Sequence, residues 1–171
     1  LFLQQLAGFS PFRAGLATVP VTIVMFFLSS RAGRLSARHG PRLFMALGPL
    51  VAGASLAALA RMPTHVDYWV DLLLPLLGFA VGLSLTVAPL TTTVLADAGP
   101  GDAGIASGVN NAIARVAGLV AIAAVGIAAS GGGHKLTAHG FHVAMLIVAA
   151  LVGLGGVIGA VGIRNPELSA R

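Results

Sequence analysis

Five apolar stretches, each long enough to cross a lipid bilayer as a helix, are separated by short charged or turn-forming segments along this chain. A helix crosses a hydrocarbon core of about 30 Å with roughly 20 mostly apolar residues. The stretches fall at about residues 14–30, 43–60, 72–96, 104–130 and 143–163, and residues 1–6 read as the end of a sixth. Each run is continuous rather than alternating, which points to helices that satisfy their own backbone hydrogen bonds and not to barrel strands. The predicted fold is therefore an all-α membrane protein, with residues 1–171 forming a single transmembrane unit.

Composition closes off the soluble alternatives. Hydrophobic residues make up 57% of the chain and charged residues 9%, which leaves too little polar surface to face water. The formal charge of +5 would suggest nucleic acid in a soluble domain. Here Arg31, Arg34, Arg38 and Arg42 crowd between two apolar runs, the position of a cytoplasmic loop, so the lipid bilayer is the expected partner and nucleic acid is not. With that segment inside, residues near Arg13, Arg61 and Lys135 lie outside, and Arg164 and Arg171 put the C-terminus inside. The segment carrying Asp97 and Asp102 is inside and acidic, but acidic residues weigh little in this rule. The expected location is the plasma (cytoplasmic) membrane. There is no cysteine, hence no disulfide framework or thiolate site. The chain begins at Leu1 without the basic start of a signal peptide, and it reads as truncated at that end.

Glycine and proline, 23 and 9 residues, are tolerated in membrane helices whose neighbours re-satisfy the backbone. Gly78-x-x-x-Gly82, Gly104-x-x-x-Gly108 and Gly155-x-x-x-Gly159 are candidate close crossings. In the third run Gly82, Thr86, Pro89 and Thr93 share one face, a candidate cavity lining. The competing reading is plain packing, with the threonines bonded to their own helix. Thr18, Pro20 and Thr22 in the first run invite the same two readings.

The fourth run holds the most informative polar cluster, Ser107, Asn110, Asn111 and Arg115, in which Ser107, Asn111 and Arg115 recur every four residues. An arginine deep in lipid is costly and faces protein, water or headgroups. If the crossing begins near Gly104, Arg115 lies about 16 Å along it and is a cavity or gating candidate. If residues 116–130 form most of the crossing, it snorkels to the interface. His134, His139 and His142 lie close in sequence, but nothing fixes their geometry and no carboxylate is near, so no metal site is assigned. Asp71, beside Tyr68 and Trp69, fits an interfacial belt, with outward proton exchange as its functional alternative. No cofactor is implied.

The sequence Arg31-Ala-Gly-Arg-Leu-Ser-Ala-Arg-His-Gly-Pro-Arg42 resembles the loop signature G-x-L-x-D-R-x-G-x-R of the major facilitator superfamily. Three further landmarks, Leu3-Gln-Gln-Leu-Ala-Gly-Phe-Ser-Pro-Phe-Arg-Ala-Gly15, Asp71-Leu-Leu-Leu-Pro75 and Ala106-Ser-Gly-Val-Asn-Asn-Ala-Ile-Ala-Arg115, are similar to those of its fourteen-helix drug/proton antiporters of the EmrB/QacA type. The resemblance covers nearly the whole chain. It implies the C-terminal half-bundle of that fold, with the N-terminal half of the same transporter as partner and small amphipathic compounds and protons as substrates.

On that resemblance Gly33, Arg34, Arg38, Gly40 and Arg42 take the places of the loop motif, whose arginines latch the cytoplasmic side against acidic partners. Ala37 stands where the motif has its aspartate, which removes one charge partner. The proton-carrying acids of the family lie mainly in the other half. An embedded enzyme is the rival class, but H-E-x-x-H, G-x-S-x-G and an intramembrane carboxylate pair are all missing. A structural or receptor-like helical module without transport activity is the other alternative, since packing glycines serve any bundle.

Overall fold

The computed structural model describes residues 8–63, 67–98, 101–130 and 137–163. Every regular element among them is helical: α1 (Pro11–His39), α2 (Pro41–Leu59), a π-helical turn (Tyr68–Leu73) that runs straight into α3 (Leu74–Asp97), α4 (Ala103–Ser130) and α5 (Ala138–Gly162). Five of these helical segments are long and apolar enough to cross a membrane. Residues 1–6, read as the end of a further helix, lie outside the described residues.

Local chemistry sets the helix ends. At the start of α1 the Ser10 hydroxyl accepts from the Arg13 amide at 3.3 Å, and Pro11, which has no N–H to leave unsatisfied, takes the first turn. The helix does not stop where its apolar run stops. It continues through residues 31–39, read above as a loop: arginine, alanine and leucine are good helix formers, and Gly33 is carried inside the helix where it packs on α3. At 1.5 Å per residue, α1 measures about 43 Å against a core of about 30 Å, so one arginine-bearing end projects beyond the hydrocarbon. Arg38 and His39 occupy its last turn, where cations complement the helix dipole. Gly40 then adopts φ 88°, a conformation costly for any residue with a Cβ, and Pro41 opens α2 at once. The connection between α1 and α2 is thus a single-residue turn.

The third crossing likewise begins earlier than its hydropathy suggests, at Tyr68. Asp67 caps it: its Oδ1 accepts from the amides of Trp69 at 2.9 Å and Val70 at 3.4 Å, while Asp71 Oδ2 accepts from the Asp67 amide at 2.9 Å. This reciprocal arrangement satisfies backbone donors that the first turn leaves orphaned. Thr137 caps α5 by accepting from the Gly140 amide at 3.0 Å.

Packing centres on α2, which lies between α3 and α5; α1 packs on α3 and only thinly on α2, and α4 rests chiefly on α5. Missing side chains make these contacts close. A Cβ placed on Gly82 would sit 2.6 Å from the Ala52 nitrogen and 2.7 Å from the Gly48 carbonyl oxygen. One on Gly78 would sit 2.5 Å from Ser55 Oγ. On the other side of α2, a Cβ on Gly156 would meet the Ala46 oxygen at 2.8 Å and one on Gly159 the Met45 oxygen at 2.7 Å. Gly78-x-x-x-Gly82 therefore marks a crossing. In the last helix the intimate pair is Gly156 with Gly159, since Gly155, like Gly104 and Gly108, has open space beside it.

A small core cluster of Ala17, Leu56, Leu59, Met62, Leu72 and Ala149 fills the end opposite the arginines, with Phe79 and Val152 packed on it. Outward-facing residues are as apolar as the core: Phe26 is 76% exposed and Val161 79%. Such a perimeter is unsustainable in water and ordinary in lipid.

Candidate functional site

Two groups of polar residues stand out on this scaffold, one at the arginine-bearing end and one along α4. At that end Gly33, Arg34 and Arg38 lie on the final turns of α1, Gly40 in the turn and Arg42 in the first turn of α2. Gly33 packs on α3, where a Cβ would touch that of Ala88 at 3.6 Å. Arg42 reaches across the bundle: its Nε donates to the Ala160 carbonyl of α5 at 2.7 Å, neutralising an acceptor in the last turn of that helix. This contact clamps the start of α2 to the end of α5, a link that sequence proximity does not hint at. Replacing Arg42 with alanine is expected to cost about 1 kcal/mol of stability, with lysine restoring part of it; thermal unfolding in detergent would measure both.

Along α4, Ser107, Asn111 and Arg115 are exposed and Asn110 is half-buried. The helix begins at Ala103, so Arg115 lies about 18 Å along its axis, near the middle of a helix about 42 Å long. A helix of this length exceeds a hydrocarbon core of about 30 Å, so both depths fit its bounds. None of residues 111–120 is buried, although the run includes Ile113, Val116, Leu119 and Val120. The helix therefore offers an apolar surface with a polar line drawn along it.

The residues of the third crossing have a different setting. Pro89 is less than 2% exposed, and Thr86 lies against Gly48 of α2. Thr86 Oγ1 donates to the Gly82 carbonyl and Thr93 Oγ1 to the Pro89 carbonyl, both at 2.8 Å. Ser84, wholly buried, donates to Ala80 in the same way. Hydroxyls bonded to their own helix need no further partner. Pro20, half-buried inside α1, lies near Thr18, whose hydroxyl donates to the Gly15 carbonyl at 2.8 Å.

Asp71 is half-buried, and its Oδ2 is engaged by the Asp67 amide as described. The Tyr68 and Trp69 rings beside it meet edge to face at 5.4 Å. His139 and His142 sit in the first turns of α5, and His142 meets the Phe141 ring at 6.2 Å. His134 lies outside the described residues. Sequence reasoning missed the small residues of α2, Gly48, Ala52 and Ser55, that receive α3. Their spacing of four and three residues is itself a small-residue pattern, hidden by attention to glycine pairs alone.

Comparison with known proteins gives this scaffold a context. Over 98% of its length the chain is 31% identical to the methylenomycin A resistance protein of Streptomyces coelicolor, of which it covers 34%. It is 30% identical over 88% of its length to the cephamycin export protein CmcT of Amycolatopsis lactamdurans, covering 33% of it. It is 32% identical over 58% of its length to EfpA, an MFS-type transporter of Mycobacterium tuberculosis, covering 19%. No family model matches. The chain thus spans between 19% and 34% of the length of these curated relatives. Together with the five spans, they make it a multi-pass membrane protein similar to drug resistance and export transporters.

Proposed function

We propose, from this likeness to exporters of the major facilitator type, that the chain is one half of a secondary active transporter that expels drugs or other small amphipathic compounds in exchange for protons. The observation that carries the reading is similarity along nearly the entire chain to a resistance protein three times as long. Alternating access needs two bundles that rock about a central site, and five helices supply one wall of it. The N-terminal half of the same transporter supplies the other wall, and the exposed polar line of Ser107, Asn111 and Arg115 is its natural counterpart.

In this reading the arginine-bearing end is cytosolic, and Arg34, Arg38 and Arg42 belong to a latch that pairs with acidic groups of the other half. Thr86, Pro89 and Thr93 serve the packing of the wall rather than contact with cargo, as their backbone bonds and burial suggest. Asp71 is a cap residue at the outer end, with proton exchange as a secondary role. The spans near mid-membrane carry no carboxylate, so the acids that couple protons belong to the partner half.

Reconstitution into liposomes tests this. The intact transporter that carries the chain is expected to move a cationic dye when a proton gradient is imposed, and the chain alone is expected to move none. Robust proton-driven efflux by the chain alone would sink the half-transporter reading. No efflux by the intact protein with any amphipathic cation tried would favour a helical module without transport activity.

A further inference from the structure

At the arginine-bearing end a cleft of about 400 Å³ opens beside α1. Its lining combines two chemistries. Leu28, Ala32 and Leu35 of α1, Phe44 of α2 and Leu85 of α3 form an apolar floor, and Arg31, Arg34 and Arg38 form the rim. The rim is a product of helical spacing: steps of three and four residues keep the three guanidinium groups on one side of α1, which remains helical to His39. The floor lies where α1 touches α2 only thinly, and Phe44, itself largely buried, shows a small part of its surface there. Among the described side chains no carboxylate engages Arg31, Arg34 or Arg38.

We propose that this cleft binds an anionic phospholipid, its phosphate held by Arg31, Arg34 and Arg38 and the upper part of an acyl chain lying on Leu28, Leu35, Phe44 and Leu85. Only an amphiphile with an anionic head and a hydrocarbon tail satisfies both surfaces. Guanidinium groups pair with phosphate oxygens through two parallel, charge-assisted hydrogen bonds, and several can share one phosphate. A free phosphate would leave the floor uncovered, and an acidic peptide would place polar backbone against leucine and phenylalanine.

The position along the membrane fits as well. Arg31 begins the stretch of α1, about 13 Å long, that extends past the hydrocarbon, so the rim sits at headgroup level and the floor just below it. The proposal rests on the membrane assignment of α1 to α3 and not on transport, and it gives Arg34 and Arg38 a lipid phosphate in place of the acidic latch partners named under the proposed function. A lipid held there would brace the thin contact between α1 and α2.

Native mass spectrometry of the full-length protein tests it, after exchange into mixed micelles of palmitoyl-oleoyl phosphatidylglycerol and phosphatidylcholine. The expected result is retention of phosphatidylglycerol over phosphatidylcholine, a loss of that preference by about tenfold or more in R31Q/R34Q/R38Q, and no loss in R13Q at the opposite helix end. Size exclusion and helicity check that the triple variant folds. If it does not, Leu35→Ser, which removes floor without touching charge, is expected to weaken retention of the lipid. Equal retention of both lipids, or equal losses in R13Q and the triple variant, would overturn the assignment. So would displacement of the lipid by inorganic phosphate, which marks a free-anion site, or by an oligoglutamate peptide, which marks a protein latch.

Discussion

Gly82→Leu is expected to abolish the folded bundle. Its Cβ would stand 2.6 Å from one backbone atom of α2 and 2.7 Å from another, and backbone cannot rotate aside as a side chain does. Helices α2 and α3 must therefore separate, which forfeits the Gly78–Ser55 and Gly48–Thr86 contacts along with it. Ordinary overpacking costs about 1 to 3 kcal/mol, and a clash with backbone at the central crossing belongs at or above the upper end. The measurement is the thermal midpoint and the monodisperse fraction in detergent. Gly104→Ala and Gly108→Ala are the matched controls, because nothing lies within 4 Å of either position. They are expected to be neutral or to gain up to about 1 kcal/mol from helix propensity. A Gly82→Leu protein that melts with the parent would show that α2 and α3 do not cross at this point.

Arg115→Ala in the intact transporter is expected to lower efflux by about tenfold or more while leaving its abundance in the membrane unchanged. On the proposal that α4 enters the hydrocarbon near Ala103, Arg115 stands about 18 Å along it, beyond the reach of about 7 Å that would let its side chain find the headgroups there. Holding a cation there costs about 3 kcal/mol unless protein or water receives it. Within this chain Arg115 is exposed, so the group that receives it comes from the proposed partner half or from a water-filled path between the halves. Arg115→Lys keeps charge without the planar fork and is expected to be intermediate. Efflux at the parental rate in Arg115→Ala would reduce the residue to a membrane anchor.

The helices themselves were legible in hydropathy, because lipid demands long apolar runs and little else. Their ends were not. Charge at Arg31 reads as departure from the membrane, but leaving the hydrocarbon and ending a helix are different events. Only Gly40 and Pro41 impose the second. The early start at Tyr68 depends on a reciprocal bond between Asp67 and Asp71, which spacing alone does not reveal. Glycine patterns were legible as candidates but not as contacts. Gly78-x-x-x-Gly82 and Gly104-x-x-x-Gly108 are equal on paper, and they differ because α3 meets α2 whereas α4 lies at the edge of the bundle. Spacing puts Thr86, Pro89 and Thr93 on one face, but that Thr86 meets Gly48 of α2 is a property of two helices at once.

The glycine-lined seams on either side of α2 also bear on how such a bundle deforms. Backbones in direct contact have no rotamers to exchange, so α2, α3 and α5 form a stiff plate that shifts as one piece. Any bending has to be taken up at the margin, chiefly by α4, which rests on α5 and only lightly on α3. A compound wedged beneath that margin would block the bending without touching the plate itself.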